Sequence, residues 1–292
     1  MLYTLKNEHL TVAVSDRGAE LQSVRRADGW ECLWQGDSAY WGERAPVLFP
    51  LCGRLWGGTY TWQGNTYTLG LHGFARHKTF EVTSCADDRI TLTLTPDDET
   101  RVSYPFSFRL SVTYALSDDT LTETVTVTNE GEGILPFSFG GHPGFLLPLM
   151  PDRPFEDHYL DIRAKTAPRR LCLTDKGFLT GEHVPASLRD GHIIDLDRHF
   201  FDDDGIFLDM TEGEVSVRLK NSTAAITVRF DGMRCLGIWQ PAHTDAPFLC
   251  VEPWYGTPSV TGRPDDFSAK ADMIRLAPGE TYSGGFSVTF TV

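Results

Sequence analysis

The sequence predicts an all-β protein, a large antiparallel β-sandwich of many short strands. Three observations carry that expectation. Apolar and polar residues alternate at period two in run after run, most clearly in Leu121-Thr-Glu-Thr-Val-Thr-Val-Thr128. Clusters of Gly, Asp, Asn and Pro punctuate these runs at short intervals. No amphipathic stretch is long enough for a helix of more than about ten residues. The 292 residues suffice for one large core, and no linker divides them, so residues 1–292 are read as a single domain.

In chain order, Leu2 to Val14 holds two strand-like runs around Asn7-Glu8, and Asp16-Arg17-Gly18 turns into a third run, Ala19 to Val24. A loop-rich stretch with Trp34, Tyr40 and Trp41 leads to Pro46-Val-Leu-Phe-Pro-Leu-Cys-Gly-Arg54-Leu55, an apolar run bracketed by prolines. Thr59–Trp62 and Thr66–Leu69 form a hairpin around Gln63-Gly64-Asn65. This hairpin delivers the chain to Gly70-Leu-His72-Gly-Phe-Ala-Arg76-His77. Phe80–Val82, Ile90–Thr95, Ser107–Ala115 and Leu121–Thr128 form a meander that ends in the apolar run Ile134–Phe139. From Pro148 to His199 the alternation weakens, and long loops with short strands are expected. Val215–Leu219, Ala225–Phe230 and Leu236–Trp239 resume the pattern. The last of these pairs naturally with Phe248–Val251, and Gly285–Val292 closes the chain.

Hydrophobic residues at 41% and charged residues at 23% describe an ordinary soluble globular chain. A formal net charge of -14 argues against nucleic acid and anionic membrane surfaces as partners, since both need a basic face. Met1-Leu-Tyr-Thr-Leu-Lys-Asn-Glu-His9 lacks the basic and apolar regions of a secretory signal. No apolar run approaches the ~20 residues that cross a bilayer. The six cysteines are scattered without a CxxC pair, which fits reduced thiols in a cytoplasmic protein.

Two stretches carry candidate chemistry. In Gly140-Gly-His142-Pro-Gly-Phe145, two glycines are read as freeing the backbone after a buried strand, and Pro143 stiffens the turn behind His142. An imidazole held there can give or take a proton near neutral pH. In Glu252-Pro-Trp254-Tyr-Gly256, a carboxylate is expected at the end of an apolar strand, where burial would make it a better base. Arg54 is a candidate donor to sugar hydroxyls or a carboxylate. His72 and His77, five apart in a loop, do not have metal-ligand spacing, and no metal or cofactor is expected. Trp34, Trp41, Trp239 and Trp254 are candidate stacking faces or core residues.

Cys52-Gly-Arg54, His72-Gly-Phe-Ala-Arg76, Gly141-His142-Pro-Gly-Phe145 and Glu252-Pro-Trp254, in that order, resemble the aldose 1-epimerase (galactose mutarotase-like) family, in its LacX-like branch. The resemblance implies a β-supersandwich and an isomerase without a cofactor that interconverts the α and β anomers of a free aldose. It implies His142 as general acid, Glu252 as general base, and Arg54 and His72 as substrate binders. It also implies an aspartate on the sugar hydroxyls, Asp204 in preference to Asp202 or Asp203. His-Gly-Phe-Ala-Arg76 also resembles hexose-6-phosphate mutarotases, so Arg76 is a second candidate substrate binder and the substrate stays open between free aldose and 6-phosphate.

The residue types fit that chemistry. A cyclic hemiacetal opens when a base takes the C1 hydroxyl proton while an acid protonates the ring oxygen, and the expected arrangement places acid and base on opposite sides of the ring. A carbohydrate-binding protein without turnover would use Arg54, His72 and the aromatics equally well. A glycosidase would need two carboxylates about 5–9.5 Å apart, such as Asp204 and Glu252, and would leave His142 without a role. For Arg76, an ion pair with Glu252 or Glu81 is the structural alternative to substrate binding.

Overall fold

The structure, a computed structural model, describes residues 1–202 and 205–291. It is all-β. The alternating strands of the meander join the C-terminal strands in a nine-stranded sheet. Its order is 193–195, 158–164, 213–219, 225–230, 281–291, 120–129, 108–117, 89–94 and 81–85. In Thr120–Asn129, every second residue from Leu121 onward is buried, which is the period-two signal made physical. The intruder on that inner face is Glu123, 4% exposed.

An eight-stranded sheet holds Leu179–Pro185, Arg169–Leu173, Ile206–Asp209, Cys235–Trp239, Phe248–Trp254, Gly140–Gly141 and Val47–Leu48, with Gly144–Leu146 also paired to Phe248–Trp254. The N-terminal strands, Leu2–Lys6, Leu10–Ser15 and Leu21–Arg26, form a separate three-stranded sheet. Strand pairing is antiparallel throughout the large sheets; Asp265–Asp266 against Thr59–Trp62 is a short parallel pair. The one α-helix among the described residues, Asp98–Ser103, is started by Asp97, whose side chain accepts from the Thr100 N–H while the Asp97 N–H donates to the Thr100 hydroxyl.

The strand Phe248–Trp254 is buried at every residue because both of its faces are covered. Leu249 and Val251 join the main core, while Phe248 and Cys250 pack with Trp34 and Ala246. That burial explains its continuous apolar sequence. It also corrects one expectation: Glu252 does not end the strand, which runs on through Trp254.

The stretch from Pro148 to His199 is more regular than expected, with seven-residue strands at His158–Ala164 and Leu179–Pro185. Leu179–Pro185 is an edge strand exposed along nearly its whole length, so no apolar alternation marks it. In His158–Ala164 a buried histidine occupies a core position; its Nε2 accepts from the Leu149 N–H at 3.1 Å. The final strand begins at Thr281, earlier than expected, and its expected last residue, Val292, lies outside the described residues.

Candidate active site

His142 and Glu252 meet because their strands are neighbours. Gly140 stands opposite Trp254, and Gly144 stands opposite Cys250. The same antiparallel register puts His142 opposite Glu252, as a cross-strand pair. Nε2 of His142 lies 3.2 Å from Oε2 of Glu252. The Val251 N–H donates to the Pro143 carbonyl at 3.2 Å and ties the turn to the strand.

The glycines before His142 serve space rather than backbone conformation, which corrects the reading made from sequence: neither has a positive φ. A Cβ on Gly140 would come within 2.7 Å of the Trp254 ring, and one on Gly141 within 2.4 Å of the Phe286 ring. Gly237, opposite Glu252 on the next strand, leaves similar room: a Cβ there would meet the Phe207 ring at 3.0 Å and Glu252 Cβ at 3.3 Å.

The pair forms part of the wall of a pocket of about 300 Å³, together with Trp41, Glu43, Gly53, Arg54, His72, Arg76, Trp239 and Trp254. Three tryptophans surround the imidazole, with Trp41 at 4.9 Å, Trp239 at 5.7 Å and Trp254 at 6.4 Å between ring centroids. Trp34, the fourth candidate, does not line the pocket; its Nε1–H donates to the Trp41 carbonyl at 2.8 Å and steadies that wall. Size does not find this site. A larger depression of about 900 Å³, lined by residues such as Thr122, Lys165, Glu212 and Arg229, contains none of these groups.

Burial disfavours the charged form of both pocket histidines. His142 is pushed down to about 3, chiefly by desolvation; a backbone hydrogen bond opposes the shift and the Arg76 charge adds to it. His72 falls well below its ordinary value, through desolvation first and then the charges of His142, Arg76 and Arg54. His72 is also held in one tautomer. The Gly53 N–H donates to its Nδ1 at 3.1 Å, while the His72 N–H donates to the Gly53 carbonyl at 2.8 Å. Nδ1 is therefore an acceptor and the proton resides on Nε2. This double link also joins the Cys52-Gly-Arg54 and His72-Gly-Phe motifs. Both turns need glycine, since Gly53 and Gly73 have φ of +74° and +71°.

Arg54 is exposed at the pocket mouth, with its guanidinium carbon 5.9 Å from the Phe178 ring centroid. Arg76 lines the pocket but pairs with neither Glu252 nor Glu81: its Nη1 donates to Glu43 Oε2 at 2.7 Å. Glu43 was missed in the sequence reading. It sits in a loop with no periodicity, two residues after Trp41, and nothing local distinguishes it from a solvated acid. Desolvation raises its pKa, against the opposing pull of Arg76.

Asp204, the favoured sugar-binding aspartate, and Asp203 lie outside the described residues. Asp202 is held between the Nδ1 atoms of His199 at 2.9 Å and His243 at 3.0 Å, beside a second chamber rather than in this pocket. His142, Cys250 and Glu252 offer nitrogen, sulfur and oxygen atoms within 4.8 Å of one another, a set that could hold a metal ion. Burial keeps the Cys250 thiol well above its ordinary pKa, which disfavours the thiolate that a metal would take. All six cysteines are free thiols, and no helix among the described residues is long and apolar enough to cross a membrane.

The aldose 1-epimerase family profile matches residues 1–289. The chromosomal LacX protein of Lactococcus lactis subsp. lactis is 31% identical, over 99% of each chain. A galactose mutarotase related enzyme from Lactobacillus acidophilus superposes with a TM-score of 0.93 at 36% identity, covering 99% of this chain and 97% of that one. A galactose mutarotase-like protein from Lactobacillus casei superposes with a TM-score of 0.94 at 31% identity, covering 99% and 100%. The chain thus belongs to the aldose 1-epimerase family and is an enzyme of that isomerase class.

Proposed function

We propose that this enzyme is an aldose 1-epimerase acting on a free hexose, with His142 and Glu252 as the acid–base pair and the whole chain working as one mutarotase-like domain. The observation that carries this reading is the 3.2 Å contact between the two side chains in the wall of a pocket of about 300 Å³. The contact also changes the expected geometry. Acid and base stand side by side, not on opposite faces of a ring. That suits the reaction, because the C1 hydroxyl and the ring oxygen are bonded to the same carbon and two adjacent groups reach both.

The pair carries one proton, which moves across the short contact. With the proton on His142, Glu252 takes the hydroxyl proton while the imidazolium protonates the ring oxygen, and the ring opens. This leaves a neutral imidazole and a protonated carboxyl, the state that dry surroundings favour. The C1–C2 bond rotates, and the ring closes on the other face of the aldehyde. His142 then takes the proton of the attacking hydroxyl while Glu252 returns one to the former carbonyl oxygen. Each transfer contributes about 10²–10⁴-fold.

His72 presents Nε2–H to a sugar hydroxyl, Arg54 closes the mouth, and Arg76 donates from the wall in the orientation set by Glu43. That engagement favours an uncharged sugar over a 6-phosphate, because Arg76 already faces a carboxylate. Polarimetry tests the assignment. Fresh α-glucose or α-galactose should equilibrate faster with the protein than without it, and His142→Asn or Glu252→Gln should abolish most of that gain. No acceleration of any free aldose would overturn the free-hexose reading and leave a hexose 6-phosphate as the substrate, or sugar binding without turnover.

A further inference from the structure

Beside the inner pocket lies a second chamber of about 680 Å³, lined among others by Arg54, Arg170, Leu173, Asp175, Lys176 and Trp239. The two chambers share Arg54, Leu173 and Trp239 and so meet along a rim made by those three side chains. We propose that the outer chamber is a subsite for an acidic second sugar, so that the substrate class extends to reducing oligosaccharides whose penultimate unit carries a carboxylate.

Volume gives the first argument. The inner pocket, about 300 Å³, is at the small end of ligand sites and suits a single sugar unit, whereas the outer one, about 680 Å³, has more room than a single small substituent such as a phosphoryl group fills. Surface type is the second. Trp239 borders both chambers and, with Leu173, offers apolar faces on which successive sugar rings can lie.

Charge supplies the third argument. Arg54, Arg170 and Lys176 converge on this chamber, and none of them has a carboxylate partner among the described residues, in a chain of net charge -14. More than half of the chain's arginines and lysines, Arg189, Arg229 and Lys270 among them, are by contrast ion-paired. Of the two carboxylates in the wall among the described residues, Asp202 is already held between His199 and His243, and Asp175 lines the chamber with the three cations. Two guanidinium forks and an ammonium around an apolar floor match a sugar ring bearing a carboxylate.

The proposal rests on the mutarotase reading above, and glucose serves as the control that separates the two. The experiment measures anomer exchange at the reducing end by NMR for four sugars: glucose, a neutral glucose-linked disaccharide, the matching disaccharide with a glucuronic acid as its non-reducing unit, and glucose 6-phosphate. The expected result is a kcat/KM for the acidic disaccharide at least tenfold above that for the neutral one. That advantage should shrink as salt rises and vanish in Arg170→Ala/Lys176→Ala, with glucose turnover unchanged. Equal rates for the two disaccharides would overturn the subsite. So would a tenfold gain for glucose 6-phosphate that disappears in the same double variant, because a phosphoryl group would then be the occupant. Failure to accelerate even glucose would strike the mutarotase reading itself.

Discussion

Two buried acids in this enzyme differ in what surrounds them. Glu252 and Glu123 both point inward from β-strands, and both are almost fully buried. Glu252 faces His142 across a pocket wall. Glu123 lies in the core among Leu121, Phe145, Phe286 and Val288, and burial raises its carboxyl to about 8. Its neighbour is Tyr114, whose hydroxyl donates to the Ala19 carbonyl at 2.8 Å; the Tyr114 hydroxyl beside Glu123 opposes the rise without cancelling it. Glu123 is therefore a protonated core acid at neutral pH. A perturbed carboxyl alone does not mark a catalytic site; a proton partner within reach and an opening to substrate do.

The sharpest way to break this comparison is to neutralise each acid in turn. Glu252→Gln should lower kcat by about 10²–10⁴-fold, and His142→Asn by a similar factor, with thermal unfolding little changed. Glu123→Gln should leave the rate within about twofold, since one rotatable C–OH donor is exchanged for an N–H donor far from the reacting atoms. A large kinetic loss in Glu123→Gln, or near-normal turnover in Glu252→Gln, would erase the distinction.

Stability should separate the two acids in the opposite sense. The folded-state pKa of Glu123, about 8, is above the ordinary carboxyl value. Its favourable contribution is whole below the unfolded pKa and is lost as pH rises through the folded one, because the unfolded chain gives up a proton that the folded chain keeps. The loss across that window is on the order of a few kcal/mol. Glu123→Gln should remove it and raise Tm by several degrees at pH 9 while changing little at pH 5, as read by calorimetry. A gain of the same size at both pH values would mean that Glu123 is not protonated in the fold.

The rate profile tests the other half. An ordinary histidine protonates near 6.5, but burial holds His142 to about 3. As pH falls through 6.5 the imidazole gains no second proton, so the His142–Glu252 pair keeps its single one. kcat/KM should therefore hold from neutrality down to about pH 5, with no acid limb near 6.5. An acid limb centred near 6.5 would show that the pocket is wetter than its walls indicate.

The sequence made the proposed acid–base pair easier to find than its surroundings. Period-two alternation showed the strands of the nine-stranded sheet except 158–164 and 193–195, which lie where the pattern weakens, and the pairing of Leu236–Trp239 with Phe248–Val251 was visible because both are short apolar runs joined by a turn. The contact of His142 with Glu252 was not, since it depends on a register set by Gly140 against Trp254 over a long separation in the chain. The reason for Gly140 and Gly141 was misread for the same cause: the rings of Trp254 and Phe286 that exclude a side chain come from distant strands. Period two puts Glu123 on the same face as Leu121, Val125 and Val127, but the alternation alone does not say why an acid stands there. The edge strand Leu179–Pro185 had no pattern to read because it buries almost nothing.

The smallest expected effect concerns Glu43, which local sequence did not reveal at all. Glu43 holds Arg76 by one charge-assisted hydrogen bond of 2.7 Å, and Arg76 has one further anchor, from Nη2 to the Leu71 carbonyl at 3.3 Å. Neither residue reaches the reacting carbon in the mechanism proposed above; Arg76 binds sugar and Glu43 orients it. Glu43→Gln keeps the shape and a hydrogen-bond acceptor but removes the charge. One such bond is worth about 1–1.5 kcal/mol, so KM should rise by about 5–10-fold. If the two residues act only on binding, kcat should stay within about twofold. A purely structural role would instead lower Tm and leave KM alone. The decisive companion is Glu43→Gln/Arg76→Ala. With Arg76 gone, Glu43 has nothing to orient, so the double variant should have the KM of Arg76→Ala alone. Additive losses would show that Glu43 contacts the sugar in its own right and would make it a binding residue rather than a positioning one.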